Sequence, residues 1–395
     1  MTNSVCRICE GNTVETLIDF GDQPIVNDFL SSRDEEYSTY PFRLGFCLKC
    51  GFLQLIDTIS PESLYKNYFT VSSWKNQPHV QRLIGVIEDI SGLNQKDKIL
   101  EIGCNDGSFL EQLRVQGYSN VYGIEPTKDS FELAVSKKLV VNHSFFTNET
   151  SRNYYEKNIF DLVVTRQVLE HITDLDDFLE GIDFVLNEEG TLVIEIPDSN
   201  ANINSLDYGL WEEHVNYFTL DTLKTLLQKH FFNVIHYEVT LFSGKALTVF
   251  CQKMKHKQSK KTFLYDISPI IKFRDDWPVF KENLMNFLDS RDRPIAMYGC
   301  GARSSNFLNF TGAAKKVDFY IDDQVEKQNL YVPGENLKIK PWNEKYCNDY
   351  YMLLGVNTEN EYKVIKKRRF APNKFSSVLP PSQNLPEFWK NMLYD

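Results

Sequence analysis

Four cysteines near the amino terminus have the spacing of a metal site. They form two Cys-x-x-Cys pairs, Cys6 with Cys9 and Cys47 with Cys50. Two sulfurs separated by two residues can reach one ion from a single turn, and two such turns complete the tetrahedral thiolate shell that zinc prefers. Because four thiolates leave no open coordination position, we expect a structural zinc ion and assign it no part in catalysis.

A glycine-rich turn after a short apolar strand is the second group of residues with a chemical meaning. Residues 100–107 read Leu-Glu-Ile-Gly-Cys-Asn-Asp-Gly, and Glu125 ends the next predicted strand. Glycines let the backbone approach a ligand closely, and a carboxylate at that strand end can accept both hydroxyl protons of a ribose. The spacing differs from the Gly-x-Gly-x-x-Gly of nicotinamide enzymes and predicts S-adenosylmethionine. The residues expected to contact this cofactor are Glu101, Gly103, Cys104, Asn105, Asp106, Gly107, Glu125, Pro126 and Gln167.

A histidine beyond the fourth parallel strand is the candidate catalytic base. Residues 210–218 read Leu-Trp-Glu-Glu-His-Val-Asn-Tyr-Phe, at a place in the chain that faces the substrate in this kind of fold. An unperturbed histidine ionises near pH ~6.5, which suits His214 to take a proton in the neutral range. Glu213 or Glu212 could orient His214 or hold a substrate hydroxyl. We expect the earlier His171 to pack beneath the site.

Alternating strands and helices must position these residues. A helix at 78–91 precedes predicted strands at 98–102, 120–125, 160–165 and 190–195, and a further strand covers 244–252. Repeated strand–helix units predict a parallel, doubly wound sheet. A second alternation begins near residue 293. The expected fold class is α/β, with a class I (Rossmann-like) methyltransferase core at 76–255, a β-rich zinc domain at 1–75 and a Rossmann-like substrate-binding domain at 262–395.

Length, charge and cysteine usage limit the class of protein further. The chain has 395 residues, more than one hydrophobic core usually supports. A net charge of -11 argues against a nucleic-acid partner, and no apolar stretch reaches the ~20 residues of a membrane span. Eight cysteines, half of them in metal-type pairs, indicate a reducing compartment, so we expect a cytoplasmic protein. Whether it is a monomer or a homodimer is left open.

Taken together, these motifs resemble the sugar C-methyltransferase family that acts on nucleotide-linked 4-keto deoxysugars, as tylosin-type C3-methyltransferases do. The resemblance spans nearly the whole chain and covers a zinc-binding domain, a methyltransferase domain and a C-terminal Rossmann-like domain. The stretches that carry it are the two Cys-x-x-Cys pairs, 19–24, 47–55, 64–68, 100–107, 212–218, 299–305, 322–328 and 332–334.

The resemblance implies roles for individual residues. The family's Glu-His pair falls on Glu213 and His214, which makes His214 the base that removes the proton at C3 beside the ketone. Tyr65 or Tyr68 is a candidate lid over the sugar. The substrate-binding residues that it implies are Tyr65, Tyr68, Trp211, Tyr217 and Arg303. Trp211 departs from the pattern, because family members typically carry tyrosine there.

Two other functions are compatible with the sequence. One is O- or N-methylation of a related nucleotide sugar or glycan precursor, and the other is a binding or scaffold protein that kept the fold. The C-terminal stretch Gly299-Cys300-Gly301-Ala302-Arg303-Ser304 is half of a dinucleotide fingerprint and lacks the third glycine. We therefore interpret that domain as a wall of the sugar site, with Arg303 able to meet a diphosphate.

Overall fold

The computed structural model describes residues 4–64, 77, 79–254 and 266–394, and the described strands form three sheets. The first sheet is antiparallel and belongs to the zinc-binding part of the chain. It contains β1 (Val14–Pro24), β2 (Thr39–Cys47) and β3 (Leu53–Leu55), and a short helix α1 (Pro61–Leu64) follows. Its fourth strand, β9 (Asn216–Tyr217), comes from the candidate catalytic segment and pairs with β3. The first domain therefore extends its own sheet into the active site.

The second sheet has seven strands and is parallel except at one edge. Across the sheet the strands lie in the order β10, β11, β8, β7, β4, β5, β6, and β11 is antiparallel to both of its neighbours. These strands are β4 (Ile99–Ile102), β5 (Val121–Ile124), β6 (Val140–Asn142), β7 (Phe160–Arg166), β8 (Leu186–Pro197), β10 (Phe232–Leu241) and β11 (Lys245–Lys253). The order confirms the expected class I methyltransferase core.

Helices cover both faces of this sheet, as βαβ crossovers require. They are α2 (Val80–Ser91), α3 (Ser108–Val115), α4 (Lys128–Ser136), α5 (Asn148–Tyr154), α6 (Leu175–Val185) and α8 (Leu220–Lys229), whereas α7 (Ser199–Asn204) joins the core of the C-terminal part. In α2 the residues at three- and four-residue spacing, Val80, Leu83, Ile84 and Ile87, are the buried ones, and Gly92 ends the helix in the left-handed conformation. The predicted helix 78–91 thus begins at Val80, and Pro78 lies outside the described residues.

The third sheet is a smaller, mostly parallel one. Its order is β14, β15, β13, β12, β16, β17, and only β14 runs antiparallel. The strands are β12 (Ile295–Tyr298), β13 (Val317–Ile321), β14 (Tyr331–Val332), β15 (Leu337–Lys340), β16 (Tyr351–Leu354) and β17 (Phe375–Ser377). The helices are α9 (Ser268–Asp289), α10 (Ala302–Thr311), α11 (Tyr346–Asp349), α12 (Thr358–Arg368) and α13 (Glu387–Tyr394).

The zinc-binding sheet packs against the C-terminal part through aromatic side chains. The ring of Phe20 on β1 lies 4.4 Å from that of Phe310 on α10 and 5.1 Å from that of Trp277 on α9. A continuous core thus joins the first sheet, the segment 203–217 and the third sheet. The described helices include none long and apolar enough to span a membrane.

Three strands of the central sheet differ most from the sequence prediction. Strand β8 covers Leu186–Pro197, longer than the predicted 190–195, and the two edge strands β6 and β10 were not predicted at all. The sequence of β10 alternates apolar and polar residues from Ile235 to Leu241, a strand pattern that our prediction missed. Its apolar residues, including Ile235, Tyr237 and Val239, remain exposed in the structure.

Candidate active site and metal centre

The four cysteines of the two Cys-x-x-Cys pairs converge on one point. Cys6 Sγ lies 3.5 Å from Cys50 Sγ, Cys9 Sγ lies 3.6 Å from Cys47 Sγ, and all four sulfurs are within 4.8 Å of one another. Ligands ~2.3 Å from a tetrahedral zinc ion are ~3.8 Å apart, so the observed spacing fits this metal. Cys104, Cys251, Cys300 and Cys347 lie outside the cluster.

Both cysteine pairs adopt the same turn. The backbone N–H of Glu10 donates to the carbonyl of Cys6 at 2.9 Å, and that of Gly51 donates to Cys47 at 2.8 Å. Each donor follows the second cysteine and has a positive φ, 57° for Glu10 and 69° for Gly51. This shared backbone conformation directs the two sulfurs of each pair inward, which explains how two distant sequence segments build one shell.

The glycines of the cofactor turn are required by packing within the protein. Gly103 and Gly107 have φ of 70° and 74°, where L side chains are strained. A Cβ on Gly103 would lie 2.5 Å from Val168, and one on Gly107 would lie 2.2 Å from Leu139. A side chain at either position would therefore clash with the protein itself, and the room that these glycines leave for the cofactor stays a prediction. Gly107 packs against α4 and sets the start of α3.

The carboxyl group of Glu125 braces the cofactor loop from the end of β5. It accepts hydrogen bonds from the backbone N–H groups of Asn105 at 2.9 Å and Thr127 at 2.8 Å. The side chain is buried, and burial raises its pKa above the usual glutamate range. Oε1 also accepts the Thr127 hydroxyl group, whereas Oε2 keeps a second lone pair that can accept a ribose hydroxyl group.

The cofactor loop opens into a cavity of about 1880 Å³ that the described residues enclose. Eight of the nine predicted cofactor residues line this cavity; Gly107 is the exception. The eight are Glu101, Gly103, Cys104, Asn105, Asp106, Glu125, Pro126 and Gln167.

The donor set on this wall fits adenosylmethionine. Within the described part of the chain, the buried Oε2 atom of Glu101 has no hydrogen-bond partner. This acceptor matches the ammonium group of the cofactor's methionine end. Burial raises the pKa of Glu101 to about 8, although the positive charge of Arg166 opposes that shift, and the ammonium group of a bound cofactor would oppose it further.

His214 lies on the wall of the same cavity, with aromatic rings around it. Its ring centroid is 4.8 Å from that of Trp211 and 4.9 Å from that of His171, and the two histidine planes are nearly perpendicular. The backbone N–H of His214 donates to the Trp211 carbonyl at 3.0 Å, which turns the chain toward the cavity. The Nε1 of Trp211 is buried and has no partner among the described residues.

The titration of His214 differs from the sequence expectation of an unperturbed group. Burial is the largest cause of a pKa well below the usual histidine value, and the nearby His171 and the positive charge of Arg303 lower it further. The pKa of His171 falls to about 4, again mainly through burial. At neutral pH both rings are uncharged, so His214 holds a free lone pair.

The acidic pair before His214 divides its contacts between the domains. The carboxyl group of Glu212 accepts from the Val26 N–H at 2.9 Å and from the Asn306 side chain at 2.6 Å. The Glu213 carboxyl group bonds to the Asn27 side chain, and burial raises the pKa of Glu213 well above its usual range. The Glu213 backbone carbonyl binds the ring of His171. An orienting role of the Glu213 carboxyl toward His214 stays a prediction.

The predicted substrate residues are placed unequally. Tyr217 lines the cavity, but its hydroxyl group donates to the Trp211 carbonyl at 3.1 Å. Arg303 also lines the cavity, and its guanidinium group forms an ion pair with the buried Asp207 and donates to the Ser243 carbonyl at 3.0 Å. A diphosphate contact of Arg303 stays a prediction and requires competition with these partners. Tyr65 and Tyr68 lie outside the described residues.

Glu170 is a residue of the site that our sequence reasoning passed over. It is buried, and both carboxylate oxygens lack a partner within the described part of the chain. Burial raises its pKa to about 8, and a carboxyl oxygen lies within 4.8 Å of ring nitrogens of His171 and His214. The sequence Leu-Glu-His at 169–171 could have indicated Glu170, but we considered only its histidine as a candidate site residue.

The zinc assignment makes a prediction about metal content and stability. Cys47→Ser should remove the ion and lower the melting temperature by about 5–10 °C, because the binding energy of a structural metal contributes to folding. Zinc analysis of the pure protein together with thermal unfolding measures both effects. Cys347→Ser, a half-buried thiol outside the cluster, is the control. A Cys47→Ser protein with a full equivalent of zinc would refute the assignment.

The cofactor assignment predicts the effect of removing the charge of Glu125, the residue directly after β5. Glu125→Gln should weaken adenosylmethionine binding ~10- to 100-fold, the scale of losing hydrogen bonds to a charged group. Titration calorimetry measures the dissociation constant directly. Glu132→Gln on α4 is the matched control, since Glu132 is exposed and its ion pair is with Lys128. Unchanged affinity in Glu125→Gln would place the ribose elsewhere.

Comparison with known proteins agrees with this architecture. Three family models match in chain order: a zinc binding domain at residues 6–65, a methyltransferase domain at 74–237 and a C-methyltransferase C-terminal domain at 248–376. The chain is 23% identical to the C-methyltransferase NovU of Streptomyces niveus over 95% of its own length and 94% of that protein.

More distant similarity is confined to part of the chain. The human mitochondrial ubiquinone biosynthesis O-methyltransferase is 32% identical over 29% of this chain and 31% of its own length. The crystal structure of the 1,6-didemethyltoxoflavin-N1-methyltransferase of Burkholderia thailandensis covers 53% of this chain and 98% of its own, with a TM-score of 0.40 and 13% identity.

The full-length match and the C-terminal model distinguish this chain from methyltransferases that share only the central domain. Its cysteine cluster, its adenosylmethionine loop and its third sheet correspond in order to the three matched models. The chain is therefore an adenosylmethionine-dependent methyltransferase with a structural zinc domain, and it is similar over nearly its whole length to a C-methyltransferase.

Proposed function

We propose that this enzyme methylates a carbon atom next to the 4-keto group of a nucleotide-linked deoxysugar. The observation that carries the proposal is that His214 lies on the wall of the same cavity as the cofactor loop and the third domain. The C-methyltransferase NovU, similar over nearly the whole chain, supports carbon as the acceptor atom.

The size of the cavity supports two ligands. Its volume of about 1880 Å³ exceeds the ~300–1,000 Å³ of a typical small-molecule site. Its lining includes Glu101 and Glu125 of the central domain as well as Arg303 and Ser304 at the start of α10. In this proposal the cofactor lies beside the first pair and the nucleotide-linked acceptor beside the second, with their reacting ends near His214.

The chain's residues perform the proton transfer in this proposal. A ketone acidifies the neighbouring C–H bond, and the neutral ring of His214 takes that proton while the bonding electrons form an enolate. The unpartnered N–H of Trp211 can donate to the developing enolate oxygen, the role of an oxyanion-hole donor. The bound cofactor supplies an electrophilic methyl group on its sulfonium, which the carbon nucleophile takes while a neutral thioether leaves.

A second candidate function is O-methylation of a related sugar. The central domain alone resembles ubiquinone biosynthesis O-methyltransferases, which is the observation in its favour. An O-methyltransferase has no need for a ketone in its substrate, whereas carbon methylation through an enolate requires one. The acceptor atom therefore distinguishes the two functions.

Incubation with methyl-labelled adenosylmethionine and a panel of nucleotide sugars tests the proposal. We expect label in 4-keto sugars, attached to carbon, and none in the matching 4-hydroxy sugars. Mass spectrometry and NMR of the product identify the methylated atom. Methylation of a sugar that has no ketone would contradict the proposal.

The assignment of the base predicts a large effect on turnover with little effect on cofactor binding. His214→Gln should reduce kcat ~10²- to 10⁴-fold, the scale of losing a positioned acid–base group, and leave the adenosylmethionine Kd nearly unchanged. His236→Gln, on the exposed side of β10, is the matched control. Near-normal kcat in His214→Gln would require another group to take the proton.

The pH dependence of the wild-type enzyme follows from the pKa of His214. The neutral ring is the active form, so kcat should fall only when the pH drops below its pKa. Because burial holds this pKa below the ordinary value of ~6.5, the acid limb of the kcat profile should lie below that pH. An acid limb above pH ~6.5 that disappears in His214→Gln would contradict the buried environment.

A further inference from the structure

A residue inside the first cysteine pair connects the metal centre to the catalytic segment. Arg7 lies between Cys6 and Cys9, and its guanidinium group reaches away from the sulfurs. Nη1 donates to the carbonyl of Val215 at 2.9 Å and Nη2 donates to that of Leu55, also at 2.9 Å. The Arg7 backbone N–H donates to the Gln54 side chain at 3.0 Å, which fixes the turn itself against β3.

Val215 is the residue directly after His214, and its carbonyl oxygen is fully occupied. Besides Arg7, it accepts the backbone N–H of Leu55 at 3.0 Å. A carbonyl oxygen has two lone pairs, and here the zinc-binding domain fills both. The neighbouring strand pair, β3 with β9, continues the same connection through Asn216 and Tyr217.

The other side of the segment is fixed by the central domain. The side-chain amide of Asn216 donates to the carbonyls of Leu169 and Ile172, at 3.1 Å and 2.6 Å. These two residues flank His171, so the same amide holds the turn that packs against the His214 ring. His214 thus lies between two anchors, one supplied by the zinc-binding domain and one by the methyltransferase domain.

The charge of Arg7 suits its position beside the metal centre. Four thiolates around a divalent ion carry a net negative charge, which favours a guanidinium group next to them. A guanidinium group also presents a planar fork of donors that can hold two carbonyls at once, which an ammonium group cannot reproduce.

We propose that Arg7 is a positioning residue that couples the zinc turn to the catalytic segment. It holds the backbone next to His214, so that the base faces the reacting carbon at the required distance. The zinc-binding domain then serves the reaction as well as stability, although the metal itself contacts no substrate. The inference rests on the proposed role of His214 and adds the residue that fixes its geometry.

The test compares equivalent changes in the two cysteine turns. Arg7→Gln removes the charge and the fork, and Lys49→Gln removes a charge from an exposed position of the second turn. We expect Arg7→Gln to keep one zinc ion per chain while kcat falls ~10- to 100-fold, the effect of displacing a catalytic group by about 1 Å. Adenosylmethionine affinity should stay within about 2-fold of wild type because its wall is untouched. Lys49→Gln should match the wild type in all three measurements.

Hydrogen exchange gives a readout that does not depend on turnover. Peptides covering residues 210–218 should exchange their amide protons faster in Arg7→Gln than in the wild type, and not in Lys49→Gln. The acid limb of the kcat profile should also move to higher pH, because a loosened segment admits water and the pKa of His214 rises toward its ordinary value. Arg7→Lys, which keeps the charge but loses the fork, should show intermediate exchange and intermediate kcat.

Unchanged kcat and unchanged exchange in zinc-loaded Arg7→Gln would overturn the proposal. If Arg7→Gln does not fold or loses its zinc, Arg7→Lys is the variant that tests the proposal. Wild-type kcat together with wild-type hydrogen exchange in Arg7→Lys would then overturn the proposal. A wrong assignment of His214 as the base would be detected by a different experiment, because His214→Gln would then retain activity. Hydrogen exchange of peptides 210–218 in the Arg7 variants would still measure the coupling between the zinc turn and this segment.

Discussion

The buried carboxyl group of Glu212 is the interaction on which the arrangement of the active site depends. It accepts one hydrogen bond from the backbone of Val26 in the first domain and one from the side chain of Asn306 in the third. Burial raises its pKa to about 7, and its hydrogen bonds oppose that shift. A carboxyl group removed from water must be fully bonded, so both domains have to close around it. The next residues of the chain then place the candidate base.

The same segment is held from three directions. Glu212 ties it to the first and third domains, Arg7 ties the Val215 carbonyl to the zinc turn, and Asn216 ties it to the turn that carries His171. Proton transfer requires a base within hydrogen-bond reach of the proton it removes. The nine-residue segment 210–218, fixed in this manner, has little freedom to lose on substrate binding. This gives a small β-rich domain with a closed metal shell a purpose beside the methyltransferase core.

The two Rossmann-like sheets are built alike where they face the cavity. In both, an acidic side chain at the end of the second strand accepts a backbone N–H of the loop after the first: Glu125 bonds Asn105, and Asp322 bonds Cys300 at 2.8 Å. In the third domain that loop is also closed by Lys327, which donates to the Cys300 carbonyl, and by Ser304, which accepts from Gly301. The loop of the third domain is therefore closed by three side chains of its own domain.

Features that depend on the local spacing of residues could be predicted from the sequence. Features that depend on pairing between distant segments could not. The cysteine turns, the glycine loop and the acidic strand ends are local motifs, so their convergence could be anticipated from residue types alone. The pairing of β3 with residues 216–217 joins segments about 160 positions apart, and no periodicity reveals it. The acidic pair could be recognised, but whether Glu212 or Glu213 faces another domain depends on which side of the turn each occupies. The sequence alone suggests that Arg7 is a surface residue of a zinc turn. In the structure it is half-buried and donates a hydrogen bond across a domain boundary, a long-range contact that local spacing does not reveal.

Solvent exchange at the acceptor carbon tests the central claim, that a base held between three domains removes a proton from carbon. The enzyme is incubated in D₂O with a 4-keto nucleotide sugar and S-adenosylhomocysteine, so that no methyl transfer competes, and deuterium at the carbon beside the ketone is followed by NMR. The account predicts steady incorporation by the wild type and a loss of ~10²-fold or more in His214→Gln. Equal deuterium incorporation by both proteins would contradict the account. Methylation of a sugar in which no carbon-bound proton exchanges with solvent would contradict it as well.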